Sequence, residues 1–161
     1  MGESEVVRHL AEYLDENEYT FFVDSGYSNK LCDELEEKFD NCGINTAITI
    51  GNRIPDIIGF TPEEDIFSVK VKGENGIREG IGQAAHYRQG VHKSYIAAPS
   101  SALYEFKDTA LSCGLGIFPS SKSGILDAQT KDPVENLGAT KLNRTRRALT
   151  VKTSRFDSSS S

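Results

Sequence analysis

The sequence predicts an α/β domain of three layers, a mixed central sheet with helices on both faces. Three observations carry this. Helical and strand periodicities follow one another in the order helix, mixed strands, helix, strand, helix, strand. Thr61-Pro62-Glu63-Glu64 is a turn signal with proline at a favoured position, and it joins two β-rich runs into a central hairpin. After the hairpin, a glycine break, a helical stretch and a further strand make a helical crossover.

Each element has a local reason. Ser4 can cap a helix over residues 4–15, whose apolar stripe is Val6, Val7, Leu10, Tyr13 and Leu14. Residues 18–23 contain Tyr-Thr-Phe-Phe-Val, a β-rich run closed by Asp24-Ser25-Gly26. A helix over 28–41 shows Leu31, Leu35 and Phe39 every four residues and ends at Cys42-Gly43. Residues 45–50 read as a strand, Gly51-Asn52 as a turn, and 53–60 as the next strand. Over 65–72, Phe67, Val69 and Val71 alternate with Ser68, Lys70 and Lys72, so one face is apolar and the other polar. Gly73-Glu74-Asn75-Gly76 precedes a helix over 77–89, and 93–98 is a strand ended by Pro99. Ser100 caps a helix carrying Leu103, Phe106, Ala110 and Leu111, and 115–118 is a last short strand ended by Pro119.

A chain of 161 residues buries one core, so a single domain over 1–120 is expected, followed by a polar, basic extension over 121–161 that is partly disordered. The net charge of −6 divides unevenly: residues 1–140 carry −11 and residues 141–161 carry +5. No apolar run is long enough to span a membrane. The opening Met1-Gly2-Glu3-Ser4-Glu5 lacks the basic and apolar regions of a secretion signal. Three cysteines at irregular spacing fit neither a disulfide framework nor zinc. A cytoplasmic protein without a membrane partner is the expectation.

The hairpin makes a geometric prediction. With residues 61–65 as its loop, Phe60 faces Ile66 and Asp56 faces Lys70. Asp56, Lys70 and Lys72 then project from one face within reach of one another, and a slip of one residue would send Asp56 to the other. On the following helix Glu79, Gln83 and Tyr87 form one stripe, while Ile77, Ile81, Ala84 and Ala85 form another that packs on the sheet.

Ile54-Pro55-Asp56-Ile57, then Phe67-Ser68-Val69-Lys70-Val71-Lys72-Gly73, then Gln83 and Tyr87 four apart on a helix, resemble the PD-(D/E)XK nuclease superfamily. Its members have the restriction-endonuclease-like core. The resemblance covers residues 1–118 and implies Mg²⁺- or Mn²⁺-dependent endonucleolytic hydrolysis of DNA. In such a reaction carboxylates hold the metal, the metal activates water, and a lysine stabilises the transition state. It implies Asp56 as metal ligand, Lys70 or Lys72 as catalytic lysine, and Gln83 with Tyr87 as substrate-binding residues.

The sequence departs from the family at one position. Lys70 stands where the second acid belongs, and one carboxylate beside two ammonium groups is a poor divalent-metal site. Three readings stay open. Ser68-Val69-Lys70 is the working motif and Glu79 the displaced acid; or Lys72 keeps its role and Glu5 or Glu79 completes the metal shell; or the domain binds DNA without cutting it. The blander readings are a cross-strand ion pair for Asp56 and Lys70, a solvated Glu79, a first-turn acid for Glu5, and packing for Tyr87. A homodimeric interaction module with no DNA role is compatible with the acidic body.

Overall fold

The computed structural model describes residues 1–130 and 144–153. The elements are α1 (Glu3–Glu16), β1 (Thr20–Asp24), α2 (Asn29–Lys38), β2 (Cys42–Asn45), β3 (Ile57–Phe60) and β4 (Ile66–Val71). They continue with α3 (Ile77–Tyr87), β5 (Lys93–Pro99), α4 (Ser100–Leu103), a 3₁₀ turn (Tyr104–Phe106), α5 (Lys107–Ser112), β6 (Gly116–Ser121) and β7 (Gly124–Ile125). A last helix, α6, covers residues 144–153.

All seven strands share one mixed sheet in the order β2-β1-β3-β4-β5-β6-β7. β1–β3, β3–β4 and β6–β7 pair antiparallel, while β1–β2, β4–β5 and β5–β6 pair parallel. Alternation along the strands sorts side chains between two cores. Phe21, Val23, Phe67, Val69, Tyr95 and Ala97 point to the face covered by α1 and α2. Ile96, Ala98 and Ile117 face α3, while Phe22, Ile58 and Ile66 pack with Tyr87 of α3 and Leu149 of α6. Helices on both faces of a mixed sheet make this an α/β protein, as the periodicities predict. Gly59 lets β1 and β3 approach closely, because a Cβ there would run into the backbone of Thr20.

Several local expectations need correction. The strand expected over 45–50 lies earlier, at Cys42–Asn45. The buried Asn45 side chain ends it, accepting from the N–H of Ala47 (3.1 Å) and Ile48 (2.8 Å) and donating to the Ile48 carbonyl (2.9 Å). Pro119 does not end the last strand but lies inside β6, opposite Ala98, and two-residue β7 follows. The helix expected from Ser100 breaks into α4, the 3₁₀ turn and α5.

The domain boundary at 120 also moves. β7 pairs with β6, Gln129 exchanges backbone hydrogen bonds with Ile117, and Leu149 of α6 is 0 % exposed in the core. The stretch expected to be a basic, partly disordered extension therefore contributes a strand and a packed helix. Residues 131–143 and 154–161, with the terminal serines, lie outside the described residues.

Candidate functional site

The β3–β4 register pairs Ile57 with Val69, Ile58 with Ser68, Gly59 with Phe67 and Phe60 with Ile66. Extending it by one residue sets Asp56 against Lys70, as the turn position predicts. The Lys70 Nζ lies 3.4 Å from Asp56 Oδ2. The same oxygen accepts the Val71 backbone N–H at 2.7 Å. Both side chains are largely covered, Lys70 at 20 % and Asp56 at 14 % exposed.

Burial raises the Asp56 pKa above its ordinary value, opposed by the Val71 N–H and by the Lys70 charge. Glu3, at the start of α1, is close enough to push it further in the same direction. A Cβ on Gly73, just beyond β4, would lie within 3.7 Å of the Glu3 nitrogen and 3.9 Å of its Cγ, so α1 begins against the end of this strand. From the other side comes Asp24, the last residue of β1, whose N–H donates to the Asp56 carbonyl at 2.9 Å. Tyr27 closes the cluster. Its hydroxyl is buried beside the Asp56 carboxylate, and its pKa is raised first by burial and then by Asp56, Glu3 and Asp24.

The two lysines do not share this pocket. Lys72 lies along the start of α3, where a Cβ on Gly80 would sit 2.6 Å from its Cγ and one on Gly76 3.1 Å from its Nζ. The two glycines form a trough that draws the lysine stem away from Asp56. Glu5 is likewise elsewhere, in a groove between α1 and α2 with Arg8, His9 and Glu34. Glu79 is exposed and lines a groove of ≈ 360 Å³ with Arg53, Gln83 and His86. Ser68 is 0 % exposed and its hydroxyl has no partner, so a Ser68-Val69-Lys70 motif with Glu79 is not assembled.

The expected ridge on α3 is present in part. Tyr87 is buried in the core with Ile58 and Ile66, and its pKa is raised by burial and then by the Asp56 charge, with Arg53 opposing. Gln83, one turn before it, has a carbonyl oxygen buried without a partner. His92, between α3 and β5, is structural: its Nδ1 accepts the Ile66 N–H at 2.9 Å.

A Mg²⁺ or Mn²⁺ ion, which the nuclease resemblance implies, does not fit these residues. A hard dication needs several oxygen ligands. Here an ammonium group and a backbone N–H already take the Asp56 oxygen. No group of three or more His, Cys, Asp or Glu among the described residues could hold a metal ion. What the cluster can do is hold one carboxylate against one ammonium, while Arg53 and Gln83 line the groove over α3 with Glu79 and His86.

The mixed sheet and its two helical layers define an α/β fold, and the comparisons concern that fold alone. A solved structure of a protein of unknown function from Silicibacter pomeroyi is similar to this chain with a TM-score of 0.60 and 11% sequence identity, covering 96% of this chain and 88% of that one. No family model and no curated protein matches the sequence. Among the described residues no helix is long and apolar enough to cross a membrane.

Proposed function

We propose that the chain is a protein of the nuclease type that binds the phosphate backbone of DNA without cutting it. The Lys70–Asp56 ion pair carries this reading, because it sets a lysine where phosphodiester hydrolysis needs a second acid. Donors suited to phosphate stand in the groove over α3, where Arg53, His86 and the Gln83 amide share the lining with one acid, Glu79, and Lys72 runs along the start of the helix. The acidic remainder of the chain opposes a polyanion at long range, so binding is weak and salt-sensitive. The three free thiols, two of them buried, support a reducing compartment, the cytoplasm.

Fluorescence anisotropy with a labelled duplex, measured from about 20 to 200 mM salt, tests the reading. With about three phosphate contacts, log affinity falls with log salt at a slope of about −2.7. Lys70→Ala and Arg53→Ala each lower that slope, and supercoiled plasmid stays intact in Mg²⁺ or Mn²⁺. Metal-dependent nicking that disappears in Asp56→Asn would overturn the non-cutting reading in favour of the endonuclease. Absence of affinity at the lowest salt removes DNA altogether. The homodimeric module is then the reading left, and a dimer mass by light scattering is its mark.

A further inference from the structure

The structure assigns Lys70 the place of a divalent cation: the cleft around Asp56 carries its own counter-charge, and the sign of that one residue decides whether the fold holds a metal.

The hairpin register fixes the position. Ile58 opposite Ser68 puts Asp56 opposite Lys70 on the same face, and no shorter shift than two residues would bring another side chain there. The ammonium lies 3.4 Å from one of the two Asp56 oxygens, Oδ2, and the Val71 N–H donates to the same oxygen at 2.7 Å. Around the pair stand further carboxylates. Glu3 acts on both Asp56 and Tyr27, and Asp24 acts on Tyr27 while its own N–H bonds to Asp56. Among the described residues, Lys70 is the base whose charge opposes the burial of Asp56. Take it away and the covered Asp56 carboxylate is left with the Glu3 charge near it and no lysine to offset it. With it in place an incoming dication meets an ammonium group in a medium of low dielectric, and is repelled. Charge reversal at position 70 sets a second carboxylate opposite Asp56 on the same face of the hairpin.

The inference holds whether or not the protein binds DNA, and the test uses the protein alone. Mn²⁺ binding is followed by electron paramagnetic resonance and by the shift of the thermal unfolding midpoint, on the full chain and on Lys70→Glu. The wild type is expected to leave Mn²⁺ free and its midpoint unmoved. Lys70→Glu is expected to bind Mn²⁺ at least about tenfold more tightly and to gain stability from it. That gain disappears when Asp56→Asn is added. Should Lys70→Glu fail to fold, Lys70→Gln removes the positive charge without adding an acid, and a smaller gain of the same sign is expected. A wild-type chain that binds Mn²⁺ through Asp56 would overturn the inference. So would folded variants at position 70 that bind no more tightly than wild type.

Discussion

Replacing Lys70 by methionine keeps most of the side chain's apolar stem and removes its charge from beside Asp56. At 3.4 Å and an effective dielectric constant near 20, Coulomb's law gives about 5 kcal/mol of gross attraction for the pair. The loss on substitution is smaller, because Asp56 escapes by taking up a proton. Protonating a carboxyl of ordinary pKa 3.8 at pH 7 costs about 4 kcal/mol, and that is the ceiling. Burial has already raised the Asp56 value, which lowers the ceiling, and the Val71 N–H bond survives. We expect Lys70→Met to destabilise the fold by about 2–3 kcal/mol at pH 7. The pH dependence follows from the direction of the shift. A carboxyl whose folded pKa lies above its unfolded value contributes stability fully below the unfolded pKa and loses it as the pH rises through the folded one. Without Lys70 the folded value climbs further, so the deficit of the variant grows between pH 4 and pH 7 and is about 1 kcal/mol or less at pH 4. Urea unfolding of wild type, Lys70→Met, Asp56→Asn and the double variant at both pH values gives the coupling energy. A coupling below about 0.5 kcal/mol at pH 7 is the scale of a solvated surface pair and would refute the argument. Equal losses at pH 4 and pH 7 would refute it as well.

Leu149→Ala empties a fully buried position under α6 and is expected to cost about 2–4 kcal/mol in urea unfolding, far more than a change in a solvated tail would. Asn45→Ala removes three hydrogen bonds that end β2 and leaves two N–H groups and a carbonyl to find water, with an expected loss of about 2 kcal/mol in the same assay. His92 has its pKa lowered from 6.5 by burial. The unfolded chain therefore protonates first on acidification, and the His92 contribution to stability is lost as the pH falls below about 6.5. Wild type minus His92→Gln, compared at pH 7.5 and pH 5, shows that loss as a difference that shrinks on acidification.

The register was legible because it depends on one quantity, the position of a turn. Pro62 and the acids beside it fix the loop, and every pair from Phe60–Ile66 inward follows from a side-chain period of two. The α3 stripe was legible for a similar reason, since helical spacing places Gln83 and Tyr87 without knowledge of the rest of the chain. Residues whose placement depends on a second element were not. Asn45 ends its strand through bonds to the loop that follows, which β propensity does not register. Leu149 is a single leucine in a segment dominated by Arg and Thr, and its burial depends on an apolar surface offered by Phe22, Ile58 and Tyr87, far away in sequence.

The errors at the site share that origin. Alternation puts Lys72 on the same face as Lys70, yet a face is not a direction, and Gly76 before α3 with Gly80 inside it open a channel that the lysine stem follows. Helical phase along α1 separates Glu5 from Glu3 in the sequence itself. Residues two apart on a helix point about 200° away from each other. Glu3 lies three, four and seven residues before Val6, Val7 and Leu10, so it continues the buried stripe, while Glu5 continues the row of His9 and Glu12 that lines the outer groove. Helical phase thus selects the acid that faces Asp56. The same phase argument, applied to the hairpin, puts a positive charge opposite that aspartate, and the two results belong together. Glu3 stands near a covered Asp56 while the Lys70 charge offsets part of the repulsion between the two acids, so helical phase and hairpin register together set the charge balance of this cluster.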